Sequence, residues 1–139
     1  MDNFLSRLPV YAAALWWGSL TTIGFLVVPL LFMHLPTPAL AGGMAAKLFT
    51  AQTWMSVACG GILLLTSTSK QASAPAQRAH DAMVFISLGL LLALLVEFAV
   101  APRIVTRTNL KLWHSVGSVM YLVQWLCAAI VFWRITPKQ

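Results

Sequence analysis

The chain has 139 residues, of which 60% are hydrophobic and only 9% are charged. This composition excludes an ordinary soluble domain, in which about 25% of residues are charged, and the mean hydropathy of +0.83 agrees. The length fits one domain in which four membrane helices of about 20 residues use nearly all of the chain. We therefore expect an all-α integral membrane protein: a single transmembrane domain, residues 1–139, folded as an antiparallel four-helix bundle.

The net charge of +6 comes from nine basic and three acidic residues. Basic residues beside membrane spans fix orientation and contact anionic headgroups, and a chain of this kind offers no soluble basic face for nucleic acid. The expected partners are the lipid bilayer and other membrane proteins or a second copy of the chain, with no nucleic acid.

The first helix is predicted over residues 8–33, 26 positions without a charge. A signal peptide has only about 7 to 15 apolar residues, so this stretch is a membrane helix. Pro9 lies in its first turn, where a missing N–H group costs nothing, whereas Pro29 is expected to kink or loosen its end. Gly18 lies on a small-residue stripe, which is typical of a face that another helix approaches closely.

The second helix is predicted over residues 44–68. Two prolines and a glycine pair in residues 34–43 predict a turn before it. Gln52, Ser56 and Gly60 repeat every four residues, so we expect this face to meet other helices and not lipid.

The third helix is predicted over residues 82–101, after a polar loop at 70–81. Asp81 is expected to cap its N-terminus, and Pro102 to end it. One face carries, at intervals of four, Gly89, Ala93 and Glu97. This spacing predicts that the one acidic residue inside a membrane run points toward the other helices.

The fourth helix is predicted over residues 110–134, beginning near Asn109. Steps of three and four draw one polar or small stripe along it: His114, Gly117, Tyr121, Gln124 and Ala128. Five tryptophans fall mostly toward the ends of the runs, as aromatic belts do: Trp16, Trp17, Trp54, Trp113 and Trp133. No internal repeat is apparent in the sequence.

Antiparallel helices would bring most of the polar residues to one end of the bundle. We call this end the polar pole: His34, Lys47, Gln52, Glu97, Arg103, Arg107, Asn109, Lys111 and His114. The terminal end would receive Arg7, Lys70, Arg78, Arg134 and Lys138, with Asp2 and Asp81. Its five basic residues against four at the pole predict cytoplasmic termini in a bacterial inner membrane.

Glu97 is the residue that most needs an explanation, because an unpaired carboxylate among apolar residues costs several kcal/mol. We expect His114 or Lys47 to be its partner. One interpretation is structural, a bundle end held by hydrogen bonds and ion pairs. The other is functional, a protonatable centre supported by Lys47, Arg103, Gln52 and Asn109.

His114 and His34 are candidate ligands, because imidazole is the commonest metal ligand and haem sites form between helices of bundles. The cofactor, haem or a metal ion, stays open at this point. The sequence contains no nucleophile, P-loop or dinucleotide motif, so it identifies no catalytic residue, and an enzyme is not the expected class.

Several residues of the chain form a recognisable family pattern. In the first half these are Trp17, Gly18, Gly24, Phe25, Pro29, Phe32, Leu35-Pro36, Gly42 or Gly43, and Lys47-Leu48-Phe49. In the second half they are Pro102, Arg103 and residues 112–118, where His114 and Ser115 are similar to a Leu-His-x-x-Ser motif with Trp113 inserted. On these residues the chain resembles the transmembrane protein 205-like family of small four-helix membrane proteins, a resemblance that implies a fold and no particular reaction. It is also similar in architecture to copper-resistance D-like membrane proteins, whose sites use polar residues at a helix pole.

Three functions remain open on the sequence. The protein is an interaction, assembly or resistance module that joins membrane proteins, a haem- or metal-binding redox protein, or a proton-linked transport component that acts as an oligomer. For the fold, we expect four glycines to lie at helix contacts: Gly18, Gly60, Gly89 and Gly117.

Overall fold

The computed structural model describes residues 2–68 and 74–136. In these ranges the chain is almost entirely helical and contains no strand. The α-helices are Asp2–Thr22, Val28–His34, Pro38–Ser67, Ala74–Asp81, Met83–Leu95, Ala101–Val105 and Leu110–Ile135, and two π-helical segments interrupt them, π1 (Ile23–Val27) and π2 (Val96–Val100). Lys70 and Lys138, two of the basic residues behind the predicted orientation, lie outside the described residues.

Four helical stretches are long and apolar enough to cross a membrane. We call them the first span (Phe4–His34), the second (Pro38–Ser67), the third (Met83–Val105) and the fourth (Leu110–Ile135). Large apolar side chains on their outer faces are open to the surroundings, as lipid-facing residues are. The all-α, multi-pass membrane class predicted from the sequence is thereby confirmed.

The second span begins at Pro38, six residues before the predicted start. Thr37 caps it, since its hydroxyl accepts a hydrogen bond from the Leu40 N–H group at 3.3 Å, and Pro38 fits the first turn because its missing N–H group would have no partner there.

Asp81 does not cap the third span, so that prediction is wrong. Residues 74–81 of the predicted loop form a short helix that Asp81 ends, and Ala82 occupies the N-cap position of the third span without a side-chain cap. The polar composition of residues 74–81 is typical of a loop, but this segment packs against the first, second and fourth spans and is helical.

Pro102 does not end the third span, which continues to Val105. A proline inside a helix removes one N–H group and its ring clashes with the carbonyl four residues back. Just before Pro102 the backbone widens into π2, where the Ala101 N–H group bonds the Val96 carbonyl, five residues back. Pro29 is preceded in the same way by π1, so the expected loosening near Pro29 takes the form of a wider helical turn.

The first and third spans repeat one pattern at an interval of 73 residues. The two π segments begin at positions 23 and 96, and the two prolines lie at positions 29 and 102, so each pair is separated by 73 residues. Four pairs of buried positions obey it too: Pro9 and Ala82, Ala13 and Ile86, Trp16 and Gly89, and Leu20 and Ala93. Few of these pairs are identical, and several exchange a large side chain for a small one, which is why the repeat is not apparent from residue identities.

The first and third spans meet in the core at Trp16 and Gly89. The Trp16 side chain is fully buried, and a methyl group built on Gly89 would lie 2.8 Å from Cη2 of its indole. Trp16 is therefore a core residue, and its predicted place in an interfacial belt is wrong.

The other three predicted contact glycines differ among themselves. A methyl group on Gly60 would lie 2.6 Å from Leu90 Cδ2, and one on Gly117 would lie 3.2 Å from Val100 Cγ1. Gly18 has no atom within 4 Å of that position, so the structure does not place it at a tight helix contact.

Two arginines bind the carbonyl groups at the ends of two helices at the terminal end of the molecule. Arg78 Nη1 donates to the Ile135 carbonyl oxygen at 3.1 Å, and Arg134 Nη1 donates to the Asp81 carbonyl oxygen at 3.2 Å. Each carbonyl belongs to the last residue of a helix, where intrahelical donors run out and a cation is favourable. The short helix Ala74–Asp81 is thus tied to the end of the fourth span.

We predict that Gly89→Ala destabilises the protein, whereas Gly18→Ala does not. The new methyl group at position 89 meets a buried, rigid indole, and overpacking of this kind costs about 1–3 kcal/mol. At position 18 there is open space, so only the higher helix propensity of alanine acts, worth up to about 1 kcal/mol in favour of the fold.

Thermal unfolding in one detergent, followed by circular dichroism, compares the two variants with the native protein. Equal unfolding temperatures for Gly89→Ala and Gly18→Ala would contradict the Trp16 contact.

Candidate functional site in the polar pole and the layer beneath it

Glu97 lies in π2 on the inward face of the third span, half-buried. Thr50 of the second span donates its hydroxyl to Glu97 Oε1 at 2.9 Å. Lys47 and His114, the partners expected from the sequence, are both exposed, and among residues 2–68 and 74–136 no salt bridge to Glu97 is found. The carboxylate therefore meets a neutral hydroxyl where we expected a cation.

An aromatic pair lies between the second and fourth spans at the same level. The rings of Phe49 and Tyr121 meet edge to face, with 5.3 Å between centroids, and the Tyr121 hydroxyl donates to the Leu20 carbonyl oxygen at 2.7 Å. Tyr121 fits there because residue 24 is glycine: a methyl group on Gly24 would lie 2.5 Å from Tyr121 Cε1. Gly24 is the counterpart of Glu97 in the 73-residue repeat, and a hydroxyl group of a neighbouring span lies beside each of these two positions.

A layer of buried polar side chains lies just beneath this level, near the middle of the spans. Gln52, Ser56 and Gln124 are almost fully buried. Gln124 Nε2 donates to Ser56 Oγ at 3.1 Å, and Gln52 Nε2 donates to Ser19 Oγ at 3.0 Å. Interhelical hydrogen bonds of this kind hold membrane helices together, because lipid offers these groups no alternative partner. We call these four residues the buried polar layer.

One buried atom of this layer is an acceptor without a donor. Gln52 is only 3% exposed, and among the residues that the structure describes no group donates a hydrogen bond to its Oε1. A buried acceptor without a donor costs about 1–3 kcal/mol, so it is a position at which a hydroxyl, an ammonium group or a water molecule would be bound favourably.

The two pole histidines lie on the surface. His34 is exposed and its Nδ1 lies 3.0 Å from the Leu30 carbonyl oxygen of its own helix, and His114 is exposed at the start of the fourth span. In the part of the chain that the structure describes, no three His, Cys, Asp or Glu side chains come together as a metal site would need.

The remaining pole residues lie in and around the turn between the third and fourth spans. Arg103 is exposed and its guanidinium carbon lies 4.4 Å from the centroid of the Trp113 ring. Arg107 and Asn109 have positive φ angles of 56° and 46°, which few residues other than glycine adopt. Asn109 precedes the fourth span but makes no side-chain cap.

Two surface depressions lie at the terminal end of the molecule. One is lined by Ser6, Arg7, Val10, Tyr11 and Pro75, and the other lies beside Arg78 and Arg134. Both are open and shallow, and Arg78 and Arg134 already bond helix carbonyls. We therefore place the candidate site at Glu97 and the buried polar layer.

Sequence reasoning found Glu97 and Gln52 but missed the residues that complete the site. Thr50 and Ser19 are its hydroxyl partners, and neither stands out in an apolar run, whereas Tyr121 lies on the stripe predicted along the fourth helix. For Gln124 and Ser56 a signal existed, since both lie on stripes of polar or small residues at helical spacing.

One family model matches residues 11–112, more than two thirds of the chain, and is described as a domain of unknown function, DUF4149. The protein belongs to the DUF4149 family. The match includes Glu97, Thr50 and Gln52 but ends before Tyr121 and Gln124. No curated protein and no solved structure matches this DUF4149 chain, and its resemblance to the transmembrane protein 205-like family and to copper-resistance D-like proteins stays a prediction.

We predict that Ser56→Ala destabilises this DUF4149 protein by about 1–2 kcal/mol, because it leaves the buried Gln124 amide without its acceptor. Ser115→Ala is the matched control, since Ser115 is exposed and bonds only the Lys111 carbonyl of its own helix. The measurement is unfolding in detergent for both single variants.

A double-mutant cycle then tests whether the two side chains are coupled. Ser56→Ala should cost less when Gln124 is already leucine. Additive effects would show that Ser56 and Gln124 do not interact.

Proposed function

We propose that this protein is an integral membrane assembly or resistance module, a bundle of four antiparallel helices whose functional centre is the protonatable carboxyl group of Glu97 in the polar pole. The observation that carries the proposal is the environment of that group. It is half-buried between two membrane spans, and its hydrogen-bond partner is the neutral Thr50 hydroxyl.

The chemistry follows from the cost of an uncompensated charge. Near Glu97 the third span exposes only apolar side chains, such as Leu94, Leu95 and Phe98. An ionised carboxylate at such a place needs a cation or takes up a proton. Thr50 donates to one of the two Glu97 oxygens, which leaves the other oxygen for the proton or cation that the proposal requires.

Partners of such a module would come from within the membrane. The spans expose apolar faces to lipid, and most of the polar groups between the spans are paired with one another. We therefore propose assembly with other membrane proteins or with a second copy, in a bacterial inner membrane with cytoplasmic termini. A reporter fused after the last residue and active only outside the cytoplasm would reverse that orientation.

We predict that dicyclohexylcarbodiimide, an apolar reagent that takes the proton of a carboxylic acid and then forms an acylurea with it, modifies Glu97 in membranes. Asp81, exposed at the terminal end, should not react under the same conditions. Mass spectrometry of the digested protein locates the adduct, and Glu97→Gln is the control that must abolish it. A folded protein with no adduct at Glu97 would contradict a protonatable centre in an apolar setting.

The cellular prediction separates function from structure. In Glu97→Gln the new amide oxygen can still accept the hydrogen bond from the Thr50 hydroxyl, so the variant should unfold within a few degrees of the native protein. It should nevertheless fail to restore the phenotype of a deletion strain. If Glu97 is only structural, the variant should lose stability and keep activity in proportion to the folded fraction. Full complementation by a correctly folded Glu97→Gln protein refutes the proposal.

A proton-linked transport component is the second candidate, favoured by the unpartnered Gln52 Oε1 near the middle of the spans, the depth at which transporters bind substrates. Four helices leave little room for a path, so this function requires an oligomer. Proton flux into proteoliposomes should depend on both Glu97 and Gln52, and a monomeric protein without flux would exclude it.

A further inference from the structure

Three cations lie close together in the chain at the pole, in the connection between the third and fourth spans. We call Arg103, Arg107 and Lys111 the basic turn. All three side chains are exposed, and among the described residues none forms a salt bridge. The acidic residue described at this end, Glu97, is turned inward and bonds Thr50. The basic turn therefore presents positive charge without a counterion from the part of the chain that the structure describes.

The Arg103 guanidinium is held in place before any ligand arrives. Its Nη1 donates to the Ala99 carbonyl oxygen at 2.8 Å, and its planar group lies 4.4 Å from the centre of the Trp113 ring. A guanidinium carries five N–H donors, so most of them remain for an anion, and the fixed orientation lowers the entropy lost on binding.

Arg107 occupies a backbone position that favours glycine. The Thr108 N–H group bonds the Arg103 carbonyl and the Arg107 N–H group bonds the Ile104 carbonyl, the two bonds of a Schellman motif, whose left-handed residue is usually glycine. Here that residue is Arg107, with φ 56°. A strained residue is a reason to look for a role of its side chain.

Apolar side chains surround the basic turn on the membrane side. Val105 is 70% exposed, and Leu110 and Leu112 are 41% and 50% exposed. Cations at the ends of membrane spans with apolar surface next to them match a molecule that is anionic at one end and apolar at the other. Free phosphate would use only half of this surface.

We propose that the basic turn is a binding site for the phosphate group of an anionic phospholipid, whose acyl chains lie along Val105, Leu110 and Leu112. Arg103 supplies a fixed bidentate donor, and Arg107 and Lys111 supply further charge. The site is independent of Glu97 and of the function proposed above.

The test titrates the full-length protein in detergent with phosphatidylglycerol or phosphatidylcholine and counts bound lipid by native mass spectrometry. We expect a clear preference for phosphatidylglycerol. Arg103→Gln should weaken its binding by about fivefold, the effect expected for one basic residue at a membrane surface. Arg7→Gln is the matched control, because Arg7 is an exposed arginine at the terminal end, and it should leave binding unchanged.

Arg107→Gly separates binding from folding. It relieves the left-handed strain, so the unfolding temperature should stay the same or rise, while phosphatidylglycerol binding should fall by about fivefold. If binding is unaffected in both Arg103→Gln and Arg107→Gly, or falls equally in Arg7→Gln, the site does not exist. Competition by glycerol phosphate as strong as that by the lipid would show a free phosphate site and overturn the lipid assignment.

Discussion

The Trp16 indole packs against the backbone of Gly89, and this contact joins the first and third spans through the core. In lipid, helices gain little from the hydrophobic effect and associate through close packing and hydrogen bonds. A large side chain against a glycine gives such close packing at one point of the core. The Trp16 carbonyl also accepts from the Ser19 hydroxyl at 3.0 Å, and Ser19 accepts from Gln52, so the core contact leads directly to the buried polar layer.

The two prolines decide how the spans continue from that layer to the pole. Each is preceded by a π segment, in which the helical turn is wider and the hydrogen-bond pattern is shifted. Tyr121 meets the backbone of the first span just before π1, and Thr50 meets the side chain of Glu97 in π2. The same device thus serves two purposes, since in one span it admits an aromatic ring beside Gly24 and in the other it holds the carboxyl group of the candidate site.

The two ends of the molecule use their arginines differently. At the terminal end Arg78 and Arg134 bond the carbonyl groups that end two helices, so their charge serves the fold. At the pole, Arg103 bonds the Ala99 carbonyl within its own span, and within residues 2–68 and 74–136 the Arg107 side chain has no hydrogen bond, which leaves the charge of the basic turn available to molecules outside the chain. This contrast is why we assign a structural role to one set of arginines and a binding role to the other.

The sequence by itself determined the class of protein and the position of the spans, because the length and hydropathy of a membrane helix are fixed by the thickness of the bilayer. It also identified Glu97 and Gln52, since polar groups in apolar runs are rare. Only the tertiary structure decided their partners: Thr50 in place of Lys47 or His114, and Ser19 and Ser56 around Gln52. Lysine and histidine side chains at the end of a span can turn outward, as Lys47 and His114 do. No pattern along one helix shows which face of the next helix it will meet. The sequence also did not predict that the third span continues through Pro102 or that a helix ends at Asp81. In both places contacts with other parts of the chain outweigh the local preferences of proline and of a polar segment.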